Sequence, residues 1–569
     1  MSSDLRVWQQ QALTKYLDTK PHDFLAVATP GAGKTTFALR VATELKTRRT
    51  VDRIIVVVPT EHLKVQWSEA AARVGLSLDP AFKNTDAINP QYDGVVVTYA
   101  QVAMHPYKHY AVTTAKRSLV ILDEIHHGGD AKSWGDGIKE AYQDATRRLA
   151  LTGTPFRSDD STIPFVRYAE DGEGHLVSQA DHTYGYSDAL ADGVVRPVVF
   201  LAYSGEARWR TSAGEEFAAR LGEPLNAEQT ARAWKTALDP QGDWIPAVLR
   251  AAHTRLHQLR KTIPDAGGLV IATDKTTARA YAKILAKLST TPVSVVLSDE
   301  AGASERIEKF AGSTDEWMVA VRMVSEGVDV PRLAVGVYAT SASTPLFFAQ
   351  AIGRFVRSRR PGETASVFLP SVPVLLDLAA KLEVSRDHVL GKPHRETGGW
   401  DDELLAEANK RETEADQLKT YESLGAEAEL DTLIYDGSSY GTATVAGSSE
   451  EADYLGLPGL LDAEQMRQLL RKRQEEQLNV REREAKEAAK REQEARSSQG
   501  RKDAEGRLAS QEIPQLRKEL NALVAITASR TGRPHGSIHT EARQKCGGPP
   551  TAMCSAEQLR ERINYLRRW

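Results

Sequence analysis

Hydrophobic positions in this chain fall into short runs spaced by longer polar or amphipathic stretches. Phe24–Ala28, Ile54–Val58, Gly94–Val97, Leu119–Leu122 and Arg148–Leu151 are dominated by apolar and β-branched residues. Runs of that length without polar alternation read as strands buried on both faces. Their alternation with helix-length stretches predicts a mainly parallel sheet covered by helices across 1–192. The pattern restarts near Val194 and is interrupted by a polar, helix-rich stretch over about 207–261. It resumes at Gly268–Ala272, Val293–Leu297, Trp317–Val321, Ala334–Tyr338 and Ser366–Leu369. A second α/β domain over 193–395 is therefore expected, with a helical insertion at 207–261.

The alternation then stops. Asp401–Asp436 holds twelve acidic and three basic residues, and a Gly/Ser-rich piece follows at Gly437–Ser449. Tyr454–Leu461 is a short apolar clasp. Arg471–Arg507 carries twelve basic and nine acidic residues, with Glu482–Lys486, Glu487–Arg491 and Glu492–Arg496 four apart. Acid-before-base spacing favours a solvated helix, and the absence of a sustained apolar heptad argues against a coiled coil. Residues 396–513 thus read as an acidic, then mixed-charge, helical linker region whose charged helix is a spacer or a dock for a protein partner. Residues 514–569 read as a small basic, mostly helical module. Leu516, Leu520, Leu523 and Val524 suggest one helix, and Leu559, Ile563 and Leu566 another. Ten basic and four acidic residues give it a local charge of +6.

Composition changes this picture little. The 569 residues carry a net charge of −4, which excludes a uniformly basic coat protein but not a nucleic-acid enzyme with local basic patches. Two cysteines, Cys546 and Cys554, are too few for a disulfide framework and fit a reducing cytoplasm. The first residues lack the layout of a signal peptide, and no apolar run reaches the ~18 residues of a membrane span. The expected location is cytoplasmic, with no membrane partner.

Two motifs carry chemistry. Ala28-Thr-Pro-Gly-Ala-Gly-Lys-Thr35 lies between a predicted strand and a predicted helix. It matches the phosphate-loop pattern except that Ala28 stands where the first glycine usually is. Pro30, Gly31, Ala32 and Gly33 would curl the backbone so that its N–H groups face phosphate oxygens, and the helix opening at Lys34, Thr35 and Thr36 adds its dipole. Lys34 would neutralise the β- and γ-phosphates, and the Thr35 hydroxyl would ligate magnesium. Further on, Leu119-Val-Ile-Leu-Asp-Glu-Ile-His-His127 is an apolar strand ending in two carboxylates. Phosphoryl transfer to water needs one acid to hold the metal and one to orient or deprotonate the water. Asp123 suits the first task and Glu124 the second. His126 is a candidate relay between the nucleotide and a second site.

With its Asp-Glu-Ile-His box, the chain resembles a superfamily 2 helicase of the DExH type, in texture closest to restriction-motor-like, XPB-like and RadD-like DNA helicases of bacteria and phages. Leu5–Gln9 resembles the adenine-sensing Q motif, which implicates Gln9 and Arg6. Val58–Trp67 is similar to motif Ia, Val97–Tyr99 to the next strand-contacting motif, and Leu151–Pro155 to motif III. Ile271–Asp274 is similar to motif IV, Glu326–Pro331 to motif V, and Gln350–Arg357 to motif VI. The likeness spans about residues 3–370 in the family's order. It implies two tandem RecA-like lobes with ATP between them. Arg354 and Arg357, with Gln350, would reach the γ-phosphoryl group from the second lobe, where such an arginine contributes ~10³ or more in rate. Gly327 and Asp329 would join the nucleotide site, and Thr152 and Thr154 would couple it to the nucleic-acid groove. Thr60, Thr98, Thr273 and Ser325 would touch the sugar-phosphate backbone.

The implied cofactors are ATP and Mg²⁺, and the implied activity is ATP-dependent movement along nucleic acid, 3′ to 5′, by a monomeric motor. DNA is preferred over RNA as the partner. An RNA helicase, or a nucleotide-gated scaffold that clamps nucleic acid without productive unwinding, are the alternatives. The scaffold is disfavoured because Lys34, Asp123, Glu124, Arg354 and Arg357 are all present. Lys518, Arg530, Arg533, Arg543 and Lys545 are candidate anchors for nucleic acid in the tail module. His535, His539, Cys546 and Cys554 could be read as zinc ligands, but their order and spacing do not match short zinc knuckles, so zinc is not expected.

Overall fold

The structure is a computed structural model. It describes residues 5–126, 132–153, 162–170, 176–297 (without 212–215 and 224), 300–321 (without 301), 330–382 (without 361), 389–390 and 421–458 (without 436–437). It also describes short helical stretches between 465 and 483, and 509–568 without 532, 534, 550 and 552–553.

The first lobe is a seven-stranded sheet. Its order is Leu78–Asp79, Gly94–Thr98, Arg53–Val58, Ser118–Asp123, Arg147–Thr152, Asp23–Ala28 and His182–Tyr184, every pair parallel. Ile54, Val56 and Val58 face one apolar cluster and Ile55 and Val57 the other, all sealed from solvent. That two-sided burial is why these strands read as unbroken apolar runs. Trp8, Phe37 and Trp67 from the helices Val7–Thr19, Lys34–Thr47 and Glu61–Arg73 pack into the first cluster. Tyr99, Val102, Ile138 and Tyr142, from Tyr99–Met104 and Lys132–Tyr142, pack into the second.

The second lobe is built on a ten-stranded sheet. Its parallel part runs Ser294–Val296, Trp317–Val321, Gly267–Ala272, Leu333–Ala339, Ala365–Pro370 and Val198–Thr211. Two parallel sheets with helical covers make this an α/β helicase-like fold with RecA-like lobes.

Two stretches differ from the sequence expectation. Residues 207–211 and 216–221, expected inside a helical insertion, are strand. The 14-residue Val198–Thr211 continues past the parallel sheet and pairs antiparallel with Glu216–Leu221 and Tyr421–Ala426. The reason is a period of two: Ala207, Trp209, Ala219 and Leu221 are buried and alternate with the more exposed Glu206, Arg208, Ala218 and Arg220. Helices appear only afterwards, at Ala227–Ala237 and Trp244–Arg260. Likewise, the end of the acidic stretch and much of the Gly/Ser-rich piece are not a helical linker. Glu429–Tyr435 and Ser438–Val445 form a hairpin that extends the second lobe's sheet antiparallel beyond Val198–Thr211. Leu430, Leu433 and Ile434 supply the apolar contacts that an acid-rich average concealed.

The described part of the apolar clasp, 454–458, packs on the second lobe. Tyr454, Leu455 and Leu457 join the second lobe's core, and Arg255 Nη1 donates to the Leu455 carbonyl at 3.0 Å and also to that of Leu457. Most of the charged stretch 471–507 lies outside the described residues. The tail module is three helices, Ala509–Thr531, His535–Cys546 and Ala556–Leu566, around a separate core of Leu520, Val524, Ile538, Leu559 and Ile563. It rests on the new hairpin. A β-carbon on Gly441 would come within 2.0 Å of Ala525, so only glycine permits that approach. Among the described residues no helix is long and apolar enough to cross a membrane.

Candidate nucleotide site between the lobes

The site starts at the C-terminal end of Asp23–Ala28, where the chain turns through the phosphate loop into Lys34–Thr47. Gly31 and Gly33 have φ of 81° and 89°, values costly for any residue with a β-carbon. The N-terminal helix holds this loop by its carbonyls. Arg6 Nη1 donates to Gly31 at 2.9 Å, Trp8 Nε1 to Ala32 at 3.1 Å, and Gln9 Nε2 to Gly33 at 2.9 Å. Gln9 Oε1 accepts from the Arg6 amide at 2.8 Å, which fixes the glutamine's orientation. Trp8 was not singled out from the sequence, because a tryptophan on the apolar face of a helix reads as core. Its ring does pack, stacked on Tyr184 with centroids 5.2 Å apart, but its N–H serves the loop. Pro30 and Thr35 are half-buried and Thr36 is exposed.

The carboxylates stand opposite. Asp123 ends the central strand Ser118–Asp123, and Glu124 follows at φ 46°, a left-handed backbone held by a non-glycine residue. Such strain clusters at functional sites. Lys34 Nζ lies 2.8 Å from Glu124 Oε1 and donates to the Ala28 carbonyl at 3.2 Å. The Gly153 amide donates to Glu124 Oε2 at 3.0 Å. A β-carbon on Gly153 would come within 2.9 Å of Lys34 Nζ, so a side chain there would push the lysine tip aside.

Asp123 accepts the Trp67 indole N–H on Oδ2 at 2.8 Å. Burial pushes its carboxyl well above the ordinary range, and the neighbouring Glu124 charge adds to the rise. For Glu124 burial pulls the same way, but the Lys34 ammonium, His126 and the Gly153 N–H outweigh it and hold that carboxyl below its usual range. Two adjacent carboxylates thus divide: one stays ionised against a lysine, the other resists ionising alone. An all-oxygen pair, the Asp123 carboxylate and the Thr35 hydroxyl, is the donor chemistry a hard divalent cation such as Mg²⁺ takes, and such a cation would relieve the penalty on Asp123.

The second lobe closes the arrangement. His126 is buried, with Nδ1 3.0 Å from Thr152 Oγ1 and Nε2 3.2 Å from the Gln350 side-chain nitrogen. The imidazole thus bridges the lobes, with Thr152 and Glu124 on its Nδ1 side and Gln350 on its Nε2 side. Gln350 lies on Pro345–Ile352, whose following Gly353 abuts Pro30, and the Arg357 side chain passes over Gly31. Arg354 is half-buried. The lobes enclose an apolar cavity bounded by Thr29, Pro30 and Gly153 on one side and Phe348, Ile352 and Val356 on the other.

The structure therefore gathers Arg6, Gln9, Lys34, Glu124, His126, Thr152, Gln350 and Arg357 around one cleft. Thr154, Ser325, Gly327 and Asp329 lie outside the described residues. Thr60 stands at the start of Glu61–Arg73 with its Oγ1 buried and without a hydrogen-bond partner. Thr98 Oγ1 accepts from the Gln101 amide at 3.1 Å and caps Tyr99–Met104. Thr273 is half-buried just before Asp274, which caps Lys275–Leu285. In the tail module, no three of His535, His539, Cys546 and Cys554 bring their donor atoms together; the gathered His/Glu group among the described residues is His253, His257 and Glu316. There Glu316 is already engaged by Ser289, Thr290 and His257, and His253 Nδ1 accepts from Trp317, so the cluster reads as a packed network.

The architecture and this cleft define a helicase-like superfamily 2 fold. The family described as "Type III restriction enzyme, res subunit" matches residues 2–157. The chain belongs to one family with an uncharacterized protein of Mycobacterium tuberculosis, Rv2917, to which it is 63% identical over 566 residues, 99% of this chain and 92% of that protein. It is also 24% identical over 376 residues to a protein of Sulfurisphaera tokodaii named DNA 3'-5' translocase XPB2, covering 63% of this chain and 79% of that one. Among solved structures, S. cerevisiae Dbp5 bound to RNA and ADP BeF3 superposes with a TM-score of 0.43 at 14% identity, covering 72% of this chain and 93% of that chain.

Proposed function

We propose that this protein is an ATP-dependent nucleic-acid translocase or helicase that acts on DNA. The observation that carries the reading is the continuous polar path from Lys34 through Glu124, His126 and Gln350, which joins the phosphate loop of one lobe to the arginine-bearing segment of the other.

In the present state Lys34 is engaged with Glu124. Arriving phosphates give Lys34 a stronger partner, and Glu124 is released to orient a water and take its proton. Bound magnesium, held by Thr35 and Asp123, supplies charge neutralisation at the phosphates. Arg357, already over Gly31, and Arg354 stabilise the charge that grows on the transferred group. His126 and Gln350 report the change across the cleft, so hydrolysis alternates the lobes between a closed and a looser arrangement. Thr60, Thr98, Thr273 and Ser325 are the proposed contacts to the strand, and exposed Lys518, Arg530 and Lys545 a basic face of the tail that follows it. The name of the Sulfurisphaera relative supports DNA as the track.

The test is the ATP hydrolysis rate of the full chain with single-stranded DNA, duplex DNA, forked DNA and RNA in parallel. Stimulation by one of the DNA forms above RNA is expected. Equal or greater stimulation by RNA would move the assignment to an RNA helicase, and no turnover with any of them to a nucleotide-gated scaffold.

A further inference from the structure

Asp123 is held from two directions by aromatic side chains of the two segments that follow neighbouring strands. Trp67, in Glu61–Arg73, donates its indole N–H to Asp123 Oδ2 at 2.8 Å. Tyr99, at the start of Tyr99–Met104, donates its hydroxyl to the Asp123 main-chain carbonyl at 2.9 Å. Trp67 is 2% exposed and Tyr99 fully buried, so neither can serve a ligand directly. Both segments emerge from adjacent parallel strands, Arg53–Val58 and Gly94–Thr98, and each is entered through a threonine, Thr60 and Thr98. An indole has a single donor and no acceptor, so its use here fixes the rotation of the carboxylate and nothing else.

We infer that Trp67 and Tyr99 are positioning residues that transmit strand binding at the Thr60 and Thr98 segments to Asp123, and through it to the metal–nucleotide complex. This rests on the nucleic-acid-dependent ATPase proposed above. The physical reason is that the two effects differ in tolerance. A strand contact shifts a helix by fractions of an ångström, which packing absorbs. Magnesium demands near-ideal octahedral geometry, so the same shift at its carboxylate ligand changes affinity. Partners that orient a ligand from behind typically govern about 10–100-fold in metal affinity. Because binding linkage is reciprocal, strand binding that tightens magnesium–nucleotide binding must itself be tightened by it.

The experiment uses the full chain, Trp67→Phe and Tyr99→Phe, and a fluorescent non-hydrolysable ATP analogue. Binding is titrated in EDTA, against Mg²⁺, and with and without single-stranded DNA. All three proteins should bind the analogue alike in EDTA. Trp67→Phe should need about tenfold more Mg²⁺ for half-saturation. In both variants the factor by which DNA tightens magnesium–nucleotide binding should fall toward one. Tyr99→Phe removes only a hydroxyl, and its unfolding midpoint is measured alongside, so the inference stays testable if Trp67→Phe folds poorly. Wild-type coupling kept intact in the variants would overturn the assignment of these residues. Wild-type binding of magnesium–nucleotide with no dependence on DNA would instead overturn the functional reading beneath it.

Discussion

Two ion pairs, one in each lobe, look alike on paper and differ in what surrounds them. Lys34 and Glu124 meet at 2.8 Å with side chains 12% and 26% exposed, at the mouth of the cleft. Arg196 and Glu363 meet at 3.2 Å with both side chains fully sealed. Arg196 lies just after the first lobe and also donates to the carbonyls of Phe355, at 2.7 Å, and Leu333, while its own amide donates to Val356. Phe355 and Val356 are the residues between Arg354 and Arg357. The Tyr186 hydroxyl donates to the Arg196 carbonyl at 2.8 Å, which ties the same residue to the first lobe. The comparison teaches that accessibility, more than distance, decides whether a pair is a working part. The open pair can exchange partners when phosphate arrives. The sealed one has every neighbour fixed and holds the arginine segment in place.

That contrast can be broken most forcefully at the sealed pair. Arg196→Met should cost up to about 3–5 kcal/mol of stability, because it leaves the buried Glu363 to Arg359 alone and takes the donors from the Phe355 and Leu333 carbonyls. Chemical denaturation measures it, and a loss below about 1 kcal/mol would show that water reaches the pair. At the open pair the expectation is reversed. Lys34→Ala should change stability by no more than about 1 kcal/mol, as partly exposed pairs do. Yet it should slow ATP hydrolysis by ~10² or more, about 3 kcal/mol of barrier. Hydrolysis near the parent rate would mean that Lys34 does not meet the phosphates. The smallest effect is expected one layer out, at the clamp on the phosphate loop. Gln9→Ala removes a hydrogen bond to Gly33 and should weaken nucleotide affinity by about 1 kcal/mol, read by titration of an ATP analogue.

The same contrast explains what could be read from sequence. The phosphate loop and the Asp123–Glu124 pair are contiguous residues at the ends of apolar runs, so pattern and chemistry coincide locally. Gln9 and Arg6 came from family likeness, and the structure puts both on the loop's carbonyls. Trp8, Trp67, Tyr99 and Arg196 escaped, because each acts through a partner far away in sequence, and an aromatic on an apolar helix face carries no local sign of that use. The second lobe's antiparallel extension escaped for a different reason. Ala207–Thr211 alternates with period two over only a few residues, and Glu429–Tyr435 is a short run buried from Thr432 onward, each inside a window whose average was polar or acidic. Composition over a wide window described the charge correctly and the secondary structure wrongly.

The central claim is that Glu124 leaves Lys34 on nucleotide binding and then serves as the base for the attacking water. Glu124→Gln keeps the size and hydrogen-bonding reach of the side chain and removes only its charge. With single-stranded DNA present, the account predicts that this variant binds ATP at least as well as the parent, since Lys34 is no longer held by an anion, while single-turnover hydrolysis collapses. A Glu124→Gln protein that hydrolyses ATP at the parent rate would contradict it.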